Sequence, residues 1–261
     1  MGKGRHVLGI SGGKDRAALA IYLKNKHPEL DIEYYTCDTG KELDETYELV
    51  EKLEKYLGKK IVKLQAKKDS LHSPFDYLLK IKGNYLPSHF SRWCTRELKL
   101  KPFEDWIKDD PVISYVGIRG DESREGYISK KTNIQSIFPF RRNIWSEDVI
   151  NKVLNNSNIA QMVRLYEENS NEGDFNALRP YLEQPLSFEF PQKQKLESLL
   201  DAGTATFNKV VFQFLKNTKY PLAKEKGFSL LENEDNLVRE DIFQILENSG
   251  IGVPEYYKKV A

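Results

Sequence analysis

The chain has 261 residues, enough for one large domain or for a domain with a substantial appendage. Charged residues make up 30% and hydrophobic residues 39%, the composition of a water-exposed globular chain. A formal net charge of +1 excludes a global electrostatic attraction to nucleic acid or membrane, so any basic site is local.

The run HVLGI predicts a short buried strand over 6–10, and a helix follows over 15–26 with Ala18, Leu19, Tyr22 and Leu23 near one face. DIEYYT, rich in aromatic and β-branched side chains, predicts a second strand over 31–36. Leu43, Thr46, Leu49, Val50, Leu53 and Leu57 then recur at helical spacing, and Gly58 is placed to stop that helix. KIVKL predicts a third strand over 60–64, LKPFEDWI a helix over 100–107, and VISYVGI a fourth strand over 112–118. Strands alternating with helices imply parallel crossovers, hence an α/β fold with a three-layer α/β/α parallel sheet of Rossmann-like type. After about Trp145 the strand signals fade, and 147–154, 193–200, 206–215 and 239–247 predict helices. The asparagine-rich stretch 155–173 predicts a surface connection. The expected division is an α/β domain over 1–145 and a mainly helical C-terminal region over 146–261.

Two cysteines, Cys37 and Cys94, exclude a disulfide framework and any four-thiolate zinc or iron–sulfur centre from this chain alone. The four histidines, at 6, 27, 72 and 89, show no ligand spacing, so no zinc is expected. No apolar stretch approaches the ~20 residues of a membrane span, and the first residues lack a signal-peptide core, so a cytoplasmic protein without membrane association is expected.

The chemistry begins at Ser11-Gly12-Gly13-Lys14-Asp15, which joins a predicted strand to a predicted helix. Glycines let the backbone approach a ligand closely, and amides of a first helical turn attract anions. Ser11 adds a hydroxyl and Lys14 a charge, so the group suits a phosphate or pyrophosphate. It is not a Walker A loop, because Leu8 stands five residues before Gly13 and Asp15 follows Lys14. A plain glycine turn with a solvated Lys14 is the alternative.

Three further blocks stand out. Asp38, Thr39 and Gly40 follow the second strand and suit either a polar ligand or a helix N-cap. Arg92, Arg96, Lys99 and Lys101 form a local basic run, either a phosphate clamp or a solvated helix face. Within it, Trp93 is read as core, and Cys94 as either packing or a thiol activated by its basic neighbours. Arg119, Asp121, Glu122 and Arg124 follow the fourth strand, as a functional cluster or as mutually paired surface charges.

The SGGKD loop resembles that of the PP-loop ATPase superfamily, the adenine nucleotide α-hydrolases. CDTGKELDETYELVEKLEKYLG, RWCTRELKLKPFEDWI and GIRGDESREGY resemble, in the same order, segments of its phosphoadenosine phosphosulfate (PAPS) reductase-like branch. The resemblance covers roughly the first 145 residues and implies the adenine nucleotide α-hydrolase fold. It implies nucleotide contacts from Ser11, Gly12, Gly13, Lys14, Asp15, Arg16, Asp38, Thr39, Gly40, Arg92, Lys99 and Arg119. Lys14, Arg119 and Cys94 are the implied catalytic residues, and Asp121 and Glu122 the implied Mg²⁺ ligands. Arg16 stands where the family usually has a serine, as a charged phosphate contact or as a block. The reductases' C-terminal cysteine and the paired cluster cysteines have no counterpart here, which disfavours both redox routes. The ending SGIGVPEYY resembles a stretch that precedes a cysteine-rich segment in some phage-defence relatives, and the sulfurtransferase component of DNA phosphorothioation systems is similar.

The resemblance therefore implies a protein that binds ATP, or an adenosine phosphosulfate, with Mg²⁺ and cleaves ATP to AMP and pyrophosphate to activate an acceptor. A nucleotide-binding subunit without turnover and a sulfonucleotide reductase with an external thiol partner are the alternatives. A cysteine-containing sulfur carrier or a nucleic-acid modification partner, and a homo-oligomer, are the implied associations.

Overall fold

The computed structural model describes residues 4–67, 69, 71–124, 129, 131–254 and 257. Strands β1 (Arg5–Gly9), β2 (Ile32–Cys37), β3 (Ile61–Leu64), β4 (Val112–Tyr115) and β5 (Ile134–Ile137) form one sheet in the order β3-β2-β1-β4-β5. The pairs β1/β2, β2/β3 and β4/β5 are parallel, so the Rossmann-like α/β expectation holds. The chain folds into two compact units: Pro111–Arg239 with Gly4, and Arg5–Asp110 with the residues from Glu240 onward. These units are set by packing in space, whereas the division at residue 145 is one of composition along the chain.

In the unit of Arg5–Asp110, helix α1 (Lys14–Lys26) buries Ala17 through Leu23. Its three alanines let it lie close to its neighbours. Helix α2 (Asp44–Leu57) buries Thr46, Leu49, Val50, Leu53 and Leu57, the predicted stripe, and stops at Gly58 in the left-handed conformation (φ 66°). Gly9 admits the Tyr35 ring, since a Cβ there would lie 2.9 Å from it. Tyr35 in turn stacks on Phe103 of α5 (Lys101–Ile107) at 4.8 Å. One missing methyl thus seats α5 against β1 and β2, with α3 (Pro74–Ile81) and α4 (Trp93–Thr95) preceding it in the chain.

In the unit of Pro111–Arg239, Trp145 is fully buried and donates its indole N–H to Asn208 at 2.9 Å. Helices α6 (Glu147–Val153), α7 (Ile159–Asn169), α8 (Glu172–Glu183) and α9 (Gln192–Leu215) follow. The two helices expected over 193–200 and 206–215 are the two arms of α9, which breaks between them where Gly203 leaves helical geometry. The stretch 155–173 is mostly helical. Asn155 accepts from the Ser157 amide, and Asn171 caps α8 by accepting from Asp174. Buried Lys195 donates to the carbonyls of Leu182 and Gln184, closing the carboxyl end of α8. Among the described residues, no helix is long and apolar enough to cross a membrane.

Candidate functional site

Ser11–Asp15 follows the carboxyl end of β1 and opens α1, as its composition predicts. Gly13 is the N-cap residue, and no side chain caps the helix. Ser11 Oγ instead folds back to accept from the Gly13 amide at 3.3 Å. Lys14 is buried, and its ammonium lies 3.0 Å from the Asp15 carboxylate. The Lys14 ammonium also faces the rings of Tyr257 at 5.1 Å and Phe243 at 5.9 Å, and its amide donates to Tyr257 Oη at 3.4 Å. Arg16 is exposed and does not fill the loop. Its charge reaches Cys37 and Tyr35, where it favours the ionised forms.

The turn after β2 is tied locally. Asp38 Oδ1 accepts from the Gly40 amide and the Tyr47 hydroxyl, both at 2.9 Å, and Oδ2 accepts from Gln65 at 2.8 Å. Burial opposes ionisation of Asp38, but these hydrogen bonds outweigh it and hold the carboxyl below its ordinary range. Thr39 is buried and donates to Glu42. Neither residue caps α2, whose N-cap is Leu43. Gly40 has φ 71°, and a Cβ there would meet Ser73 Cβ at 2.7 Å. Ser73 is the N-cap of α3 (Pro74–Ile81), a helix absent from the sequence reading.

The basic run begins at α4 (Trp93–Thr95), passes through one π-helical stretch (Arg96–Leu100) and continues into α5. Such π turns recur at functional sites. Trp93 is core, donating to the Tyr85 carbonyl and lying 5.5 Å from the Phe75 ring. Arg92, Arg96, Lys99 and Lys101 are exposed, and Cys94 is a half-buried free thiol. The Lys99 carbonyl accepts from Cys37 Sγ at 3.3 Å, which brings this segment to the end of β2.

In the other unit, Arg119 holds both carboxylates that were expected to bind metal: Asp121 at 2.8 Å and Glu122 at 3.0 Å. Arg124 reaches Glu122 as well. Among the described residues, no three or more metal-ligating side chains are grouped. Three residues that the sequence reading missed shape this loop. Arg141 donates to the carbonyls of Arg119, Glu122 and Arg124 at 3.1, 2.7 and 2.6 Å. Leu237 accepts from the Gly120 amide, and Asn236 lies where a Cβ on Gly120 would be. The residues of the GIRGDESREGY block beyond Arg124, 125–127, lie outside the described residues.

Chemically, the first loop offers helix amides, a hydroxyl and a lysine, and the second offers arginine with two acids. The phosphoadenosine phosphosulfate reductase domain matches residues 5–175. Two uncharacterized proteins of Methanocaldococcus jannaschii are similar. One is 33% identical over 145 residues, which cover 51% of this chain and 28% of the relative. The other is 30% identical over 159 residues, covering 56% of this chain and 36% of the relative. The matched stretches thus span about a third of either relative's length.

Proposed function

Because this chain belongs to the phosphoadenosine phosphosulfate reductase domain family, we propose that it binds ATP on the Ser11–Asp15 loop and transfers the adenylyl group. An acceptor attacks the α-phosphorus, the bond to the bridging oxygen breaks, and pyrophosphate leaves. The observation that carries this reading is a glycine turn at the end of β1 that opens a 13-residue helix with no side-chain cap. Amides there meet phosphate oxygens, and Lys14 neutralises charge that grows on the leaving pyrophosphate.

The other proposed roles are narrower. Asp38, Thr39 and Gly40 form a fixed turn that would border the nucleoside, and Arg92 and Lys99 are exposed cations for phosphate. Arg119 is the proposed second cation of the reaction. Cys94 is the proposed thiol for sulfur handling, and Cys94→Ser separates that role from plain adenylyl transfer. Mg²⁺ typically takes one or two carboxylates and completes its shell with water and phosphate. Asp121 fits best, since its side chain is 38% exposed against 13% for Glu122. The ion would supply charge neutralisation on the phosphates.

The test is Mg²⁺-dependent pyrophosphate release from ATP, with adenosine phosphosulfates in parallel. Lys14→Ala is expected to lower release on the order of 100-fold while melting like the wild type. Equal turnover in that variant removes the loop from the reaction. A second reading, a subunit that holds nucleotide without turnover, is favoured by the Lys14–Asp15 pair, which already neutralises the loop's cation. Calorimetric ATP binding without pyrophosphate release would select it.

A further inference from the structure

One residue that touches the proposed phosphate cradle, Tyr257, lies 243 positions along the chain from Lys14. The Tyr257 amide donates to the Pro254 carbonyl at 2.9 Å. Its hydroxyl accepts from the Lys14 amide at 3.4 Å and would lie 3.8 Å from a Cβ on Gly13. Its ring faces the Lys14 ammonium at 5.1 Å, and Phe243 of α10 (Arg239–Asn248) faces the same ammonium at 5.9 Å.

A phenol oxygen is an acceptor of hydrogen bonds, as a phosphoryl oxygen is. At the amino end of a helix, both satisfy the same orphan amide, and only the phosphoryl oxygen brings charge. An aromatic face likewise satisfies a buried ammonium in part, where a phosphate would do so in full. We infer that Tyr257 is a self-ligand of the cradle: its phenol stands in for a phosphate oxygen and gates the loop by competition. This inference rests on the nucleotide reading of Ser11–Asp15. Phosphate binding takes over the Lys14 amide and ammonium, and Tyr257 leaves them. When phosphate departs, the phenol returns to the Lys14 amide, while the Lys14 ammonium keeps Asp15 throughout.

The long hydrogen bond sets the scale. A neutral bond contributes modestly, so removing the competitor strengthens anion binding by about 2- to 10-fold. The experiment is calorimetry of the full chain with inorganic pyrophosphate and with Mg²⁺–ATP, on wild type, Tyr257→Phe, Tyr257→Ala and Lys14→Ala. The expected result is tighter binding by Tyr257→Ala, an intermediate gain for Tyr257→Phe, and loss in Lys14→Ala. Binding by Tyr257→Ala where the wild type shows none has the same meaning in a stronger form. Unchanged or weaker binding by both tyrosine variants overturns the gate and leaves the loop reading standing, with Tyr257 a bystander or a contact of the bound ligand. No binding of either ligand by any variant overturns both.

Discussion

Two of the loops that follow strands in this molecule are held in different ways. Ser11–Asp15 is built from backbone and neighbours close in sequence: Ser11 on Gly13, and Lys14 on Asp15, with Tyr257 as its distant partner. Arg119–Arg124 is held from afar, by one guanidinium on three of its carbonyls and by the chain at 236–237. A loop of the first kind keeps donors that a ligand can take over. A loop of the second kind has three of its backbone acceptors already used, so what it offers is chiefly side chains in fixed places. The contrast teaches that a glycine loop can be ready for a ligand because little else holds it, whereas a charged loop needs a frame.

The largest effect expected from breaking that contrast is at Arg141. Arg141→Ala removes the donor for three carbonyls, and hydrogen bonds to a charged group are among the stronger ones. A loss of about 2–3 kcal/mol follows, or a fall in Tm of roughly 4–12 °C. Thermal melting reads it, and hydrogen exchange places the new opening at 119–124. A variant that melts within a degree of the wild type would show that the frame lies elsewhere.

The difference between the loops also explains what could be read in the sequence. SGGKD announces itself because its determinants are adjacent, and so does α2, whose apolar stripe and terminal Gly58 lie within one window. Arg141, Leu237 and Tyr257 had no such signal, since their partners lie 17 to 243 residues away. Strand β5 escaped for a related reason. It has four residues, and the Oε1 of its buried Gln135 accepts from the amide of Leu222, so the polar residue that weakens the pattern takes its partner from tertiary structure. The asparagines of 155–173 read as loop because their side chains favour turns, yet two of them satisfy helix amides. Asp121 and Glu122 were legible as a charged cluster, but which partners they take depends on Arg119's side-chain geometry.

A second expected effect probes the locally built side. Gly40 combines φ 71° with a close approach to the start of α3, where Ser73 Cβ and Pro74 Cδ would stand 2.7 and 3.1 Å from a new Cβ. Neither atom is the end of a flexible side chain. Gly40→Ala is therefore expected to destabilise by about 1–3 kcal/mol, and urea unfolding is the measurement. Tight ATP binding by a normally stable variant would contradict both the strain and the view that Asp38–Gly40 is a fixed border.

The smallest effect concerns a thiol on the same side. Lys99 and Arg16 favour the Cys37 thiolate, but burial outweighs them and pushes the thiol up to about 11. Its hydrogen bond to the Lys99 carbonyl needs the protonated form. At pH 8, about one Cys37 in a thousand is then thiolate. Alkylation by iodoacetamide should run on the order of 100-fold slower than for an unperturbed thiol, and accelerate with each pH step towards 11. The linkage has the matching sign. A group whose value is raised on folding contributes stability below its unfolded value, near 9, and that contribution fades as pH rises towards 11. Peptide mapping of both cysteines, folded and in urea, separates this from slow access alone, because access does not follow the titration. A folded Cys37 that labels at its urea rate would mean that the basic run activates thiols here after all.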